Sequence, residues 1–125
     1  MTTAVALDCE MVELAGGRDA IAQVCVVSEH LTPLFKSYVR PIGQIVDYMT
    51  LHSGLRPTDL VDAPELTQVV SRVRALLCGH LVVGHSVRTD LRLLGISHPE
   101  ECIRETGTRQ SCLSSLTTAV IAASS

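Results

Sequence analysis

The chain has 125 residues, 46% of them apolar, and a formal net charge of -3, so it is sized for one domain and is too apolar to be disordered. The mild acidity excludes a protein that coats nucleic acid by charge alone, and leaves room for an acidic, cation-filled centre. With no Trp, one Phe and two Tyr, the core must be built from Val, Leu, Ile and Ala.

Residues 3–9 read as a first strand and 20–28 (AIAQVCVVS) as a second, with AGGR as the turn between them. LFKSYVRP, 34–41, reads as a third strand ended by Pro41. Short connections make these three an antiparallel meander. Residues 43–61 read as irregular. Asp62 then caps a helix with Glu65 as its reciprocal partner, and Leu66, Val69, Val70, Val73, Leu76 and Leu77 form its apolar stripe. Gly79 stands at the left-handed C-terminal position. LVVGH, 81–85, is a wholly apolar strand of the kind covered on both faces. Ser86 caps a second helix, VRTDLRLL, which Gly95 closes, and CIRET reads as a short further strand. In the tail SCLSSLTTAVIAASS, Leu113, Leu116, Val120 and Ile121 fall at the spacing of a third helix. Strands first, then strands alternating with helices, predict an α/β sandwich on a mixed sheet.

The cysteines, Cys9, Cys25, Cys78, Cys102 and Cys112, contain no CxxC pair and read as free thiols of a reducing compartment. No signal peptide is read in residues 2–15, and no apolar run is long enough to span a membrane, so the expected setting is intracellular. None of the five histidines has zinc-ligand spacing, and a structural or surface role suits each.

The chemistry is carried by acids. Strand alternation puts Ala4, Ala6, Asp8 and Glu10 on one face, the two carboxylates about 7 Å apart at the strand's exit. Two such charges either face water as ordinary surface groups or share a divalent cation, for which hard carboxylate oxygens suit Mg²⁺ or Mn²⁺. Asp90 lies on the inward stripe of the second helix with Val87, Leu91 and Leu94. An inward carboxylate either caps a backbone group, pairs with Arg, or joins the other two; three converging acids are a common way to hold two metals for phosphoryl transfer.

LDCEMV, YVRP with IVDYMTLHSGLRPTDL, and LVVGHSVRTDLRLL resemble the first two motif blocks of the DEDDh 3′–5′ exonucleases. Within them the chain is most similar to the ribosomal-RNA-processing and interferon-stimulated group, from about residue 4 to 106. The resemblance implies a three-layer RNase H-like sandwich whose mixed sheet begins with three antiparallel strands. It implies that Asp8, Glu10 and Asp90 are catalytic metal ligands for Mg²⁺ or Mn²⁺, and that Met11, Arg56 and His85 contact substrate. The implied partner is a single-stranded RNA or DNA 3′ end, and the implied setting nucleus or nucleolus, with cytoplasm the alternative. One metal would activate a water and the other steady the leaving 3′-oxygen, with a histidine as general base.

Three features depart from that pattern. The family's third block, a His followed five residues later by an Asp, has no counterpart, since no Asp follows Asp90. Met49 stands where the family has Arg, and Glu105 where it has Asp. The expectation is therefore a single exonuclease-like domain over 1–125, truncated before its final catalytic helix, and a weak or inactive nuclease. The alternative is a non-catalytic nucleic-acid-binding module or a fragment without activity. Arg40, Arg56, Arg88 and Arg92 are the candidate lining of a substrate groove.

Overall fold

The computed structural model describes residues 3–49 and 54–107. Its first two strands, β1 (Ala4–Leu14) and β2 (Asp19–Ser28), form a hairpin. The turn is made by Gly16 and Gly17, whose φ values of 92° and 81° suit glycine. β3 (Pro33–Tyr38) pairs antiparallel with β2, completing the expected meander. β4 (Ile45–Asp47) pairs antiparallel with the far end of β1, at Glu13 and Leu14. Helix α1 (Leu66–Leu77) then crosses to β5 (Leu81–Gly84), which lies parallel to β1, and α2 (Val87–Leu94) leads to β6 (Ile103–Glu105), parallel to β5. The sheet order is β3-β2-β1-β5-β6, with β4 attached to β1.

One sheet face packs on the helices. Val5, Leu7, Cys9, Val24 and Val26 meet Val69, Val70, Val73 and Leu77 of α1 and Val87, Leu91 and Leu94 of α2. The opposite face carries smaller residues at one end, Ala4, Ala6, Cys25, Val27 and Val83. At the other end Val12, Leu14 and Ala22 pack against Leu55 and Leu60 of the following loop. The expected third helix, in 111–125, lies outside the described residues.

Several local expectations are corrected. β1 runs to Leu14 rather than residue 9, because Met11, Val12 and Glu13 continue to pair with Ile21, Ala20 and Asp19 past a bulge; Asp8 and Glu10 thus sit mid-strand, not at its exit. β3 ends at Tyr38, before Pro41. Residues 43–61 are not all irregular, since they hold β4 and a 3₁₀ turn at Pro57–Leu60. α1 begins after Glu65, not Asp62: the Pro64 ring disfavours helix at Ala63, and the Pro64 carbonyl accepts the Arg40 amide at 2.9 Å. Gly79 and Gly95 do take the left-handed conformation, at φ 80° and 72°.

Candidate active site

Register across the meander sets the first half of the site. Asp8 is paired with Cys25 and Glu10 with Gln23, while Cys25 is paired in turn with Lys36. Facing side chains of paired residues share a side of the sheet, so these five line one cleft on the face away from the helices. It is small, about 40 Å³.

The second half comes from a gap in the sheet. Pairing of β5 with β1 stops at Ala6–Val83, and β4 rejoins the same edge of β1 only at Glu13. Between them the β1 edge has no strand neighbour among the described residues, yet its buried amides still need acceptors. Asp90 supplies one: the Cys9 amide donates to its Oδ2 at 3.1 Å. Asp90 is 3% exposed and is the sole buried charged residue among the described residues. Gly84, the last residue of β5, makes the closure possible, for a Cβ there would lie 2.5 Å from the Leu7 carbonyl oxygen.

Cys9 thus has Asp8 and Glu10 as chain neighbours and Asp90 bonded to its amide. Burial first, then the negative charges of Asp90 and Asp8, a thiol hydrogen bond to Asp90 and the charge of Glu10 hold its thiol well above the ordinary range. Asp8, Glu10 and Asp90 each contribute to that shift. Asp90 takes one of the alternatives open at the sequence level: it satisfies a backbone group, the amide of the residue between Asp8 and Glu10.

The start of α2 is fixed from β6. Ser86 sits at the N-cap in a left-handed conformation, φ 49°, and makes no side-chain cap, contrary to expectation. Glu105 caps instead, accepting the Val87 amide at 3.2 Å and the Arg88 amide at 3.1 Å. Its Oε1 also accepts Arg88 Nη1 at 3.1 Å, while Arg88 Nε donates to Glu100 at 2.7 Å. The Arg88 guanidinium is therefore held by Glu100 and Glu105, and with Arg92 it lines a separate hollow beside Ile96 and Ile103 rather than the carboxylate cleft. The sequence marked Glu105 only as a departure; its capping role spans 18 residues and leaves no local signal.

The remaining expected residues are dispersed around this centre. Met11 is half-buried and packs on the helix-side core, the face opposite Asp8 and Glu10. His85 is in the turn after β5, with Nδ1 3.3 Å from the Thr106 carbonyl oxygen. Arg56 is exposed and opens the 3₁₀ turn, its amide donating to Asp59 at 2.9 Å. Its neighbour Leu55 is buried with Val12 and Leu14, on the face that carries the cleft. Met49 has φ 51°, and its amide donates to the Asp47 carboxylate at 2.7 Å. Arg40 is paired with Glu65 at 3.5 Å.

Among the described residues no three His, Cys, Asp or Glu side chains converge as a ready-made metal cage. The chemistry of the donor set nevertheless fits a hard divalent cation: all three acids offer carboxylate oxygens, and two of them share the cleft.

The RNase T family model, described as exonuclease, matches residues 5–95. RNA exonuclease 4 of Mycosarcoma maydis is 41% identical over 108 residues, covering 85% of this chain and 29% of that protein. RNA exonuclease 4 of Homo sapiens is 38% identical over 108 residues, covering 85% of this chain and 26% of that protein. The chain thus spans under a third of the length of these two relatives. The Saccharomyces cerevisiae Pan2 pseudoubiquitin hydrolase–RNA exonuclease module in complex with AACCAA RNA shares the fold, with a TM-score of 0.80 at 22% identity, covering 98% of this chain and 28% of that one. The Neurospora crassa Pan2 catalytic unit gives a TM-score of 0.79 at 22% identity, covering 95% of this chain and 26% of that one. The family model matches most of this chain, and the chain belongs to the DEDDh-type, RNase H-like exonuclease family.

Proposed function

We propose that this chain carries the first three metal-binding acids of a 3′–5′ exonuclease acting on single-stranded RNA, with Asp8, Glu10 and Asp90 as the ligands of Mg²⁺ or Mn²⁺. The observation that carries the reading is the bond from the Cys9 amide to Asp90, which brings a buried acid from α2 to the strand position between Asp8 and Glu10. Bound there, a divalent cation would lower the pKa of a water and offset charge on the phosphodiester. The chain's own part is positional. The β1 backbone presents Asp8 and Glu10 on one face, and the Cys9 amide fixes Asp90. Of the three expected contacts, Arg56 and His85 are proposed to reach the strand that is being shortened, whereas Met11 packs on the face opposite the cleft.

No Asp follows Asp90, so residues 91–125 do not contain the family's pair of a His followed five residues later by an Asp. Loss of a general base alone costs about 10²–10⁴ in rate, which makes the expected turnover of this chain low. That same observation supports a second reading, a module that holds RNA without cutting it.

The test is release of nucleotides from the 3′ end of a labelled oligoribonucleotide in Mg²⁺ or Mn²⁺, with a DNA strand in parallel. Asp90→Asn keeps an oxygen for the Cys9 amide but removes the charge. It is expected to melt near the parent temperature and to lower release by roughly 10³-fold, the scale of a lost metal contribution of several kcal/mol. Absence of release together with protection of the RNA would favour the binding module. Absence of both Mn²⁺ uptake and RNA binding would remove the reading altogether.

A further inference from the structure

The cleft is too small for its own proposed substrate. About 40 Å³ holds a cation with a water or two, whereas pockets that enclose small molecules run to several hundred Å³. Among the described residues the cleft thus leaves a nucleotide strand that reaches Asp8 and Glu10 to lie over the sheet rather than inside it.

Two rows of side chains mark where it would lie. Successive pairing across β1, β2 and β3 gives Asp8–Cys25–Lys36 and, two residues along, Glu10–Gln23–Tyr38. Alternation turns all six toward the face away from the helices; Phe35, the residue between Leu34 and Lys36, points to the other side, where Arg72 of α1 covers its ring at 5.4 Å. With strands about 4.8 Å apart, the third strand's backbone lies roughly 10 Å from that of the acids. Lys36 is the chain's single lysine. It is exposed, lines the cleft, and makes no ion pair or hydrogen bond among the described residues. Tyr38 is 37% exposed.

We propose that Lys36 and Tyr38 form the docking track for the nucleic acid strand that feeds the carboxylate cleft, Lys36 binding a backbone phosphate and Tyr38 stacking on a base. The inference rests on the proposed function, since it assigns substrate contacts to that same site. The chemistry is complementary. The acids repel a polyanion unless cations lie between them, and a lone ammonium one strand beyond β2 gives the phosphates upstream of the cleft a positive partner. An aromatic ring in the adjacent row offers the sequence-tolerant stacking that single strands use. The two roles separate by salt dependence, because a phosphate contact releases counterions and a stacked base does not.

The experiment measures binding of a short fluorescent single-stranded oligoribonucleotide to the full chain in Ca²⁺, from about 50 to 200 mM salt. Lys36→Gln is expected to weaken binding about five- to tenfold at the low-salt end and to reduce the slope of log K against log salt by about 0.7, the single-strand value for one phosphate. Lys36→Arg is expected to restore the slope. Tyr38→Leu is expected to weaken binding about tenfold, on the scale of one lost stack, with the slope unchanged. Thermal melting and Mn²⁺ uptake of each variant, equal to those of the parent, show that neither fold nor cation site has moved. A parental slope in Lys36→Gln, or a slope change that Lys36→Arg does not restore, overturns the track while leaving the proposed function standing. Lys36-dependent binding without nucleotide release in Mg²⁺ supports the track and counts against catalysis. Failure of the parent chain to bind RNA at all overturns both.

Discussion

Removing the Glu105 carboxylate tests how the α2 segment that bears Asp90 is held. In Glu105→Ala, the amides of Val87 and Arg88 lose both of their acceptors. A lost side-chain cap costs about 0.5–2 kcal/mol, and loss of a negative charge from a helix N-terminus a further 0.3–1. Glu105 is one-third exposed, so water partly replaces it, and a central value of about 2 kcal/mol is expected. For a chain of this size that is a drop of roughly 6–10 °C in Tm, with a matching fall in the urea midpoint at unchanged m. Glu105→Gln retains one acceptor oxygen and should fall between. Amide exchange at Val87 and Arg88 should accelerate more than at Val82 and Val83, since the first turn frays while β5 stays paired. The decisive control is Arg88→Gln. It removes the guanidinium's pairing with Glu105 and Glu100 but leaves both capped amides in place. Little change is expected there, because the guanidinium is exposed and the ion pairs are screened. A midpoint shift in Arg88→Gln equal to that in Glu105→Ala would mean that the ion pairs, not the cap, hold the helix, and the argument would fail.

Gly84→Ala should destabilise by about 1–3 kcal/mol, as overpacking does, since its Cβ would lie 2.5 Å from the Leu7 oxygen and 3.1 Å from Val87 side-chain atoms; parental stability in urea would contradict the close approach. Cys9 gives a pH prediction of definite sign. Its thiol keeps its proton in the folded chain to a higher pH than in the unfolded chain, so the unfolded state binds fewer protons above about pH 8.5 and stability falls as pH rises. The fall is bounded at about 1.4 kcal/mol per pH unit, and below pH 8 the contribution is fully present. Cys9→Ser should show a shallower alkaline limb than the parent; identical limbs would refute the assignment.

Much of this was legible because periodicity survives translation into structure. The stripe Leu66, Val69, Val70, Val73 and Leu77 packs on the sheet, LVVG is the parallel strand beside β1, and the inward position of Asp90 followed from its spacing to Val87. Some misses are places where a distant partner decides, others where a local interruption misleads. β4 is three residues long and is held by β1, not by its own pattern. The second half of β1 was hidden because Glu10 and Glu13 interrupt its apolar run, although Met11 and Val12 pair as well as the residues before them. Asp62 with Glu65 had the spacing of a capping box, but Pro64 between them kept the chain extended through Glu65. Ser86 was the natural cap of α2 by type and position, and lost that role to an acid on another strand.

The site's position has the same origin. β1 runs on after its parallel neighbour β5 has ended, and the chain after β5 turns at once into α2. A sheet edge opened in this way leaves buried amides without strand partners, at the carboxyl end of a parallel pair where α/β proteins commonly place their ligands. A neutral side chain could answer the Cys9 amide equally well for folding; an Asn would do so without taking a buried charge out of water. The choice of a carboxylate, 3% exposed and bonded to the amide of the residue between two further acids, therefore runs against stability in the isolated chain. On the proposed function a cation would offset the three charges together, so cation binding should raise the melting temperature of the parent more than that of Asp90→Asn. On the proposed function, the bond that completes the fold at the gap also places the third carboxylate that would hold the cation.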